Sequence, residues 1–497
     1  MNDNKTESLR LPHPLIALLP IAILIAMLFA TIGTFGSDAL SGGSQIALLT
    51  TTAVCVAIGI LFYGRTWKDY INAISKNIGN TSEAIIILLI IGSLSGTWMV
   101  SGVVPTLISY GMEVLSPRFF LASACLICAA VSLMTGSSWT TIATIGIALM
   151  GIGRALGYDD GWIAGAIISG AYFGDKVSPL SDTTVLASST PGVPLFEHIR
   201  YMLVTTIPSL LLATLIFFIA GLTYDIAPQS QTTDFIDALH SRFTISPWLL
   251  LVPLFTAVLI ARKVPSIITL FLSTLMAAVF AMLFQPDLLR EIAAASGSGS
   301  TSLFTGAMIS VYGSTSLQCQ NAILEQLVAT RGMAGMLFTV WLILCAMCFG
   351  GAMTAGGMLR SITRLFAHFM RNTVSVVAST VGSGLFLNLA TADQYISIIM
   401  TGQMFSTTYD KLGYERRLLS RTTEDAVTVT SPLIPWNTCG MTQATVLSVA
   451  TLTYLPYCFF NLISPLMSIF MAAIGYKIVR RKPADTAAEV TAEQQTE

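Results

Sequence analysis

Long apolar runs recur from one end of this chain to the other, and they constrain its fold more than any other feature. Several runs reach 18 to 25 residues, which is enough to cross the ~30 Å hydrocarbon core of a bilayer as a helix. Hydrophobic residues make up 54% of the 497 residues and charged residues 10%, against about 25% charged residues in a soluble domain. We therefore predict an all-α polytopic membrane protein. The formal net charge of −1 argues against a nucleic-acid partner.

Ten of these runs are predicted to span the membrane as helices: 14–35, 44–64, 84–110, 161–190, 201–222, 247–261, 264–284, 333–357, 418–438 and 450–475. The run at 14–35 is too long for the core of a signal peptide, and no small-residue cleavage site follows it. We therefore expect this first run to be retained.

Two further apolar stretches, 119–153 and 373–405, are interrupted by polar tips, TGSSWTT (135–141) and NLATADQ (388–394). Each arm of the first stretch has about 15 residues and would rise roughly 22 Å as a helix, short of the bilayer core. We predict that both stretches are re-entrant hairpins. A pair of tilted spans in each stretch is the alternative.

The chain also matches itself at an offset near 250 residues. GTWMVSGVVPTL from Gly96 aligns with GAMTAGGMLRSI from Gly351, and the motifs NAI (72–74), LGY (156–158) and SPL (178–180) recur in the same order at 321–323, 412–414 and 431–433. Each half then holds five spans and one hairpin, and this odd number of crossings inverts the second half. Inverted repeats with interrupted spans indicate a secondary transporter whose site lies near the midplane. The glycine-rich CFGGAMTAGGM favours close helix packing over binding.

Lysine and arginine give the orientation, because cytoplasmic loops carry an excess of both. With the N-terminus inside, 19 of the 25 basic residues fall in inside segments, five in outside segments and Lys176 in the membrane. We expect both termini in the cytoplasm and the protein in the cell (inner) membrane. The predicted organisation is a cytoplasmic N-terminus (1–14), a first membrane repeat (15–222), an external loop (223–246), a second inverted membrane repeat (247–475) and a disordered cytoplasmic tail (476–497).

Both halves contain a span broken by proline. The two segments read GAYFGDKVSPLSDTT (170–184) and TEDAVTVTSPLIPWNTCG (423–440). Pro179 and Pro432 each remove a helix hydrogen bond, and non-helical backbone survives in a bilayer only where it is buried in protein or lines a watered cavity. Carbonyl, hydroxyl and carboxylate oxygens converge at such a break. This is the ligand set of a hard monovalent cation such as Na⁺.

Charged residues inside the membrane are the strongest single signal, since each costs roughly 2.5 kcal/mol or more on insertion scales. The candidates are Asp175, Lys176, Asp182, Asp393, Glu424 and Asp425. When the two SPL motifs are superimposed, Asp175 aligns with Thr428, Asp182 with Pro435 and Asp393 with Thr140. The fold symmetry therefore does not require these three aspartates, and we hypothesise that they bind Na⁺ and couple it to protons.

Structural alternatives remain for each charge. Asp175 could pair with Lys176, Asp182 could cap the helix after the break, and Asp393 could cap its hairpin tip. Glu424 could bond to Arg421 one turn earlier, and Asp425 is similar. Lys176 could also bind a substrate carboxylate. The weaker candidates are polar side chains clustered at the two tips and breaks: Ser137, Ser138, Thr140, Ser178, Thr183, Thr184, Asn388, Thr391 and Asn437.

Cysteine and histidine give no support for a metal centre. Cys125 and Cys128, like Cys345 and Cys348, have CxxC spacing but sit in apolar runs without a nearby histidine. Buried thiols acting as small hydrophobic side chains are the favoured interpretation. We expect no organic cofactor, with Na⁺ and H⁺ as the transported or coupling ions.

At SGAYFGDKVSPLSDTT the chain resembles the NhaC family of Na⁺/H⁺ antiporters, which includes malate/Na⁺-lactate antiporters. The resemblance extends through TGSSWTT, LILCAMCFGGAMTAGGML, NLATADQYISIIMTGQMF and SPLIPWNTCG, over roughly residues 15–475. It implies a secondary active transporter with hairpins and inverted repeats, coupled to sodium. The chain departs from the family at STSLQCQN (314–321), where TSNTGN would be expected.

Three functions remain in competition. The first is Na⁺/H⁺ exchange, in which one carboxylate binds either ion but not both. The second is Na⁺-coupled transport of a small organic acid or amino acid, in which half-helix N-termini and Lys176 attract the anionic group. The third is an ion channel, which an inverted repeat with broken helices disfavours. An enzyme is not expected, since no nucleophile–base pair stands out. The oligomeric state stays open, with a homodimer among the alternatives.

Overall fold

The computed structural model describes residues 11–35, 42–224, 228–296, 302–319 and 321–480. Within these ranges the chain is helical, and the only β-type pairings are the isolated bridges Thr315–Thr330 and Tyr414–Arg480. The predicted all-α class is therefore confirmed. Most of the predicted N-terminal segment (1–14) and of the predicted tail (476–497) lies outside the described residues.

The helices before Tyr224 are α1 Pro14–Phe35, α2 Gly43–Tyr63, α3 Trp67–Asn80, α4 Ser82–Val100, α5 Val103–Val114, α6 Phe120–Thr135, α7 Ser138–Thr141, α8 Ile147–Ala155, α9 Asp160–Val177, α10 Asp182–Ser189 and α11 Leu195–Thr223. A π-helical turn, Ile142–Gly146, joins α7 to α8.

The helices after Tyr224 are α12 Gln229–Arg242, α13 Leu251–Ala261, α14 Ser266–Phe284, α15 Pro286–Ala295, α16 Leu303–Tyr312, α17 Ala322–Val328, α18 Leu337–Ala355, α19 Met358–His368, α20 Thr373–Thr391, α21 Gln394–Lys411, α22 Arg416–Thr423, α23 Thr438–Leu447, α24 Thr451–Tyr454 and α25 Phe459–Ala473. A second π-helical turn, Glu424–Thr428, follows α22. The predicted external loop thus contains helix α12.

Within the described chain, eight helices are long and apolar enough to cross a membrane, and up to ten if two bent pairs each count as one span. The eight include α20 and the segment Pro117–Thr135, which are the first arms of the two predicted hairpins. They do not include α9 and α22, which belong to the interrupted spans. Re-entry of the hairpins therefore stays a prediction.

The predicted span 84–110 is not a single helix, which corrects its sequence-based boundary. α4 and α5 are separated at Gly102, whose φ is +85°, and α18 and α19 are separated in the same way at Gly357, whose φ is +71°. Both values lie in the left-handed region that glycine adopts readily. The two glycines that align in the sequence therefore end corresponding helices in the two halves of the chain.

In each half, the helix before this glycine, α4 or α18, packs against helices of the other half. α4 packs against α14 and α16 of the second half, and α18 packs against α2 and α3 of the first. The aligned glycines lie at these contacts: a Cβ on Gly96 would come within 2.2 Å of the Ser310 carbonyl oxygen, and one on Gly351 within 2.7 Å of the Ile74 Cα. The predicted packing role of the glycine-rich segment is confirmed.

Candidate functional site

The first break lies between α9 and α10. The chain leaves the helix after Val177, runs extended at Ser178 (ψ 130°), and re-enters a helix whose N-cap is Ser181. The Thr184 hydroxyl donates to the carbonyl oxygens of Asp175 (3.2 Å) and Lys176 (2.9 Å). The carbonyls that the break frees are therefore satisfied inside the protein, as non-helical backbone in a bilayer requires.

Asp175 is the centre of this break. The side chain is 6% exposed. Its Oδ2 lies 2.6 Å from Ser138 Oγ at the first hairpin tip, and its Oδ1 lies 2.6 Å from Ser181 Oγ. The structure thus joins the tip of the first hairpin to the first break through one carboxylate. Ser137, the neighbouring tip residue, caps α7 by accepting from the Thr140 N–H at 3.2 Å.

Asp182 is placed differently from the other candidates. Its side chain is exposed, and it makes no hydrogen bond or ion pair with the described residues. Ser181 occupies the N-cap position of α10, with its side chain accepting from the Thr184 N–H. The alternative in which Asp182 caps the helix is therefore wrong, because Asp182 is already the first helical residue.

The second break, between α22 and α23, is longer than the first, and it too is hydrogen-bonded to a hairpin. Asn388, on the first arm of the second hairpin, donates from Nδ2 to the Val427 carbonyl at 2.7 Å and to Thr430 Oγ1 at 3.1 Å. Asn437 caps α23 and donates to the Asn388 carbonyl at 3.2 Å. A hairpin tip and a broken span are therefore joined in the second half as in the first.

Asp393 lies at the second tip and is 1% exposed. Its Oδ1 accepts from the Ile396 N–H at 2.9 Å, and its Oδ2 accepts from the Thr438 hydroxyl at 3.3 Å. The Thr391 hydroxyl closes the turn by donating to the Asp393 carbonyl at 2.9 Å. The tip-capping alternative is confirmed, while ion binding by Asp393 stays a prediction.

The caps revise the alignment of the halves. Gly136 and Ala392 have φ values of +69° and +57°, and the residues that follow, Ser137 and Asp393, are both N-caps. Asp393 therefore corresponds to Ser137, whereas the SPL register paired it with Thr140. Ser181 and Asn437 are likewise both N-caps. The residue after Ser181, Asp182, therefore corresponds to Thr438, whereas the SPL register paired it with Pro435. The second break is longer than the first, so one fixed offset cannot align both of its sides.

The two breaks meet at Thr183. The Thr183 hydroxyl lies 2.9 Å from Ser181 Oγ and 3.4 Å from Glu424 Oε1. Since Ser181 also contacts Asp175, two hydroxyls connect a carboxylate of the first half to a carboxylate of the second. Glu424 is fully buried in the second π-helical turn.

Lys176 crosses to the other half as well. Its ammonium group forms an ion pair with Asp425 Oδ1, and both side chains are completely buried. Ser464 Oγ lies 3.0 Å from the same ammonium, and the Thr205 hydroxyl donates to Asp425 Oδ1 at 3.0 Å. The alternative in which Lys176 pairs with Asp175 is wrong, because neighbouring helical residues point about 100° apart.

Arg421 is also completely buried. Its Nε is 3.9 Å from Asp425 Oδ2, and its guanidinium carbon lies 4.6 Å from the centre of the Tyr201 ring. The alternative in which Arg421 bonds to Glu424 is therefore wrong. None of the three guanidinium nitrogens has a hydrogen-bond partner in the described chain.

Several buried oxygens around the second break likewise lack a hydrogen-bond partner in the described chain: Glu424 Oε2, Asp425 Oδ2, Thr428 Oγ1, Asn388 Oδ1 and Asn461 Oδ1. A buried acceptor without a donor costs about 1–3 kcal/mol, so a cluster of them points to a ligand that supplies positive charge. Among the described residues no group of three acidic, histidine or cysteine side chains could hold a metal ion, and a shared Na⁺ site of Asp175, Asp182 and Asp393 stays a prediction.

A family model described as the Na⁺/H⁺ antiporter family matches residues 3–191 and 170–476. The chain belongs to the Na⁺/H⁺ antiporter family. The apolar helices and this membership together identify a multi-pass membrane protein.

Relatives in the Na⁺/H⁺ antiporter family cover most of the chain. The Na⁺/H⁺ antiporter NhaC of Alkalihalophilus pseudofirmus is 36% identical over 425 residues, which is 85% of this chain and 89% of the relative. The malate-2H⁺/Na⁺-lactate antiporter of Bacillus subtilis is 35% identical over 436 residues (87% and 89%). The arginine/ornithine antiporter ArcD of Halobacterium salinarum is 33% identical over 477 residues (95% and 94%).

Sequence reasoning missed several polar residues that complete the site in this Na⁺/H⁺ antiporter family member. Ser181 stands inside the first broken segment, and Gln394, which accepts from the Ser431 hydroxyl at 3.0 Å, directly follows Asp393. Their positions beside the chosen residues could have identified both. Thr205 and Ser464 lie in apolar helices far from the breaks in sequence, and a hydroxyl there most often bonds to its own backbone. The sequence carried no signal for those two.

Proposed function

We propose that this protein exchanges Na⁺ for H⁺ across a membrane, with Asp175 and Glu424 as the carboxylates that carry the exchange. The relatives named as antiporters support this assignment. The observation that carries it is the connection from Asp175 through Ser181 and Thr183 to Glu424, which joins the two broken spans by three oxygen–oxygen contacts. This connection consists of the hydroxyls of Ser181 and Thr183 and the two acidic groups at its ends.

The number of hydrogens available to these contacts indicates the protonation state of the two carboxyl groups. Three hydrogen bonds need three hydrogens, but the hydroxyls of Ser181 and Thr183 supply only two. A carboxylic acid at either end supplies the third, so the connection is complete when Asp175 and Glu424 share one proton. Removal of that proton breaks one contact and leaves a second negative charge in the site.

Na⁺ compensates for that added charge. Glu424 Oε2 and Thr428 Oγ1 are buried oxygens that meet no hydrogen-bond donor geometry in the described chain, and oxygen atoms are the ligands that hard cations prefer. The site therefore holds a proton or Na⁺ but not both, and each ion must leave before the other is carried. If the site opens to opposite sides in turn, this exclusion produces antiport without ATP.

Alternating access would follow from the repeat architecture. The corresponding breaks, hairpin tips and exchanged helices support two repeats of opposite orientation with the site at their interface. The excess of lysine and arginine in the predicted inside loops supports cytoplasmic termini. A cell-membrane location, the absence of an organic cofactor and a homodimer belong to the same proposal. Asp182, Asp393, Asn388, Thr391, Asn437 and Ser178 remain candidates for ion binding or proton coupling.

Purified protein in liposomes tests the proposal. A pH-sensitive dye inside the vesicles should report proton movement when a Na⁺ gradient is imposed, with K⁺ as the control ion. Asp175→Asn and Glu424→Gln should abolish the signal, while Asp287→Asn, whose side chain is 93% exposed on α15, should transport normally. Normal exchange by both site variants would refute the assignment of these carboxylates. No exchange by the wild-type protein would refute the function.

A second candidate function is exchange of a small organic acid or amino acid. It is favoured by Arg421, a buried cation whose nitrogens lack hydrogen-bond partners among the described residues, because a guanidinium binds a carboxylate in a two-pronged geometry. Relatives named for malate and lactate or for arginine and ornithine support this class. The test is uptake of labelled malate, lactate and arginine under a Na⁺ gradient, with Arg421→Lys as the variant. Solute uptake that Arg421→Lys abolishes would place this function first.

A further inference from the structure

A cavity of about 700 Å³ lies where α3, α19 and α21 meet, away from the two breaks. Its polar lining includes four basic side chains, Arg65, Lys76, Arg360 and Arg364, and no acidic residue. The opposite wall is the apolar face of α21, which includes Met400. The cavity therefore combines a concentrated positive charge with an apolar side.

None of the four cations forms an ion pair with the described residues. Arg360 and Arg364 are exposed four residues apart on α19, a spacing at which like charges repel. A cluster of this kind is destabilising unless an anion neutralises it. The cavity thus has a charge that a ligand would satisfy.

A second observation points to the same kind of ligand. Asn77 lines the cavity, is 6% exposed, and its Nδ2 has no hydrogen-bond partner in the described chain. Arg65 Nε is also buried without a partner. Both are donors, so the missing partner is an acceptor, and an anion with several oxygens would accept from them and from the other cations at once.

Helix α3, which lines this cavity, has the pattern of a helix at a membrane surface. It is amphipathic, with Tyr70 and Ile74 buried against the protein. Trp67 and Ile71, at 59% and 41% exposure, point outward. Exposed apolar side chains among lysines are typical of a helix lying in the headgroup region. A basic pocket at this depth fits the phosphate of an anionic lipid.

We propose that this cavity binds the phosphate of an anionic phospholipid headgroup. The phosphate lies among the cations of α3 and α19, and the acyl chains run along the apolar side. The lipid then bridges the first half of the chain, through α3, to the second half, through α19 and α21. Since α21 starts at the capping residue Asp393, the lipid stabilises the arm that carries the second hairpin tip.

The full-length protein purified in detergent tests this site. Native mass spectrometry measures retention of phosphatidylglycerol, with phosphatidylcholine as the neutral control and inorganic phosphate as a competitor. The double variant Arg360→Gln/Arg364→Gln should bind phosphatidylglycerol about tenfold more weakly or worse, since each basic residue near a membrane surface contributes about 1 kcal/mol. Lys76→Gln should also weaken binding. Lys68→Gln, an equal charge change on α3 outside the cavity, should not.

The outcomes separate the sources of the phosphate. Preferential retention of phosphatidylglycerol that depends on Arg360, Arg364 and Lys76 supports the lipid. Displacement of the lipid by millimolar inorganic phosphate would assign the site to the free anion and overturn the lipid proposal. Equal weakening by Lys68→Gln, or no weakening by either cavity variant, would overturn it as well. Gel filtration without added lipid confirms folding, and Lys76→Gln alone decides if the double variant does not fold.

Discussion

Lys176 on the first broken span and Asp425 on the second neutralise each other in the interior, where both side chains have no exposure. Lys176→Met should destabilise the protein by about 3 kcal/mol, the low end for a broken buried pair, because Asp425 then keeps only Arg421, whose Nε is 3.9 Å away, as a cationic partner. The double variant Lys176→Met/Asp425→Leu should recover part of that loss, since it removes the carboxylate that lost its lysine but also takes from Arg421 its ion-pair partner in the described chain. Thermal unfolding in detergent measures both. If the double variant is as unstable as the sum of the two single variants, the pair is not energetically coupled.

The Thr183 hydroxyl is predicted to be required for the hydrogen-bonded connection between Asp175 and Glu424. Thr183→Val keeps the shape of the side chain but removes the hydroxyl, and should lower Na⁺-driven proton movement about tenfold or more, since hydrogen bonds to charged groups contribute about 1.5–3 kcal/mol. Thr183→Ser keeps the hydroxyl and should retain most of the activity. Liposome assays at matched protein levels compare the two. Equal rates for both variants would show that the hydroxyl has no role.

Protons and Na⁺ should compete for the site. Below the pKa of the proton that Asp175 and Glu424 share, each fall of one pH unit should raise the apparent dissociation constant for Na⁺ about tenfold. Above that pKa the dissociation constant should not change with pH. Initial exchange rates across a range of Na⁺ concentrations, between roughly pH 5.5 and 8.5, measure this. A constant that does not change over this range would exclude direct competition and favour the organic-solute function.

The N-terminus of α3 offers a pH effect outside the membrane. The Thr66 backbone N–H, followed by its hydroxyl, holds the pKa of Asp69 below its ordinary value. The stabilisation from this capping box should be complete above about pH 4, the pKa of an unfolded aspartate, and be lost as pH falls through the lower folded pKa. Thr66→Ala should cost about 1 kcal/mol locally. Faster amide hydrogen exchange in α3 measures it, with the amides of α12 as the internal reference.

Opposite exposure of two loops tests the inverted topology. A cysteine replacing Gln231, which is exposed on α12, should react with an impermeant thiol reagent from outside, and one replacing Lys411 only from the cytoplasm. The native cysteines in the described chain give low background, because six of the eight are buried and two are partly exposed. Labelling of both engineered sites from the same side would contradict opposite orientations of the repeats.

The breaks and tips could be predicted because their causes are local. Proline removes a helix hydrogen bond wherever it stands in a span, and a polar tip in an apolar run has few structural uses. The pairing of Lys176 with Asp425 could not be predicted, since the two residues are 249 positions apart. The two breaks also differ in length, so no single sequence offset between the halves aligns all of their residues. From the sequence, Arg421 lies near the end of a predicted span, where a basic side chain usually faces the cytoplasm. Only packing against Tyr201 shows that it is buried.

The exchange of α4 and α18 between the halves has a consequence for synthesis on the ribosome. About 180 residues separate the start of α4 at Ser82 from the start of its partner α14 at Ser266. At about 5–20 residues per second, α4 waits roughly 10 to 40 s for that partner. During this time its small-residue surface, including Gly96, faces lipid or the insertion machinery. Assembly of the first half is therefore limited by translation of the second, and a truncated messenger would release a half without its partner surfaces.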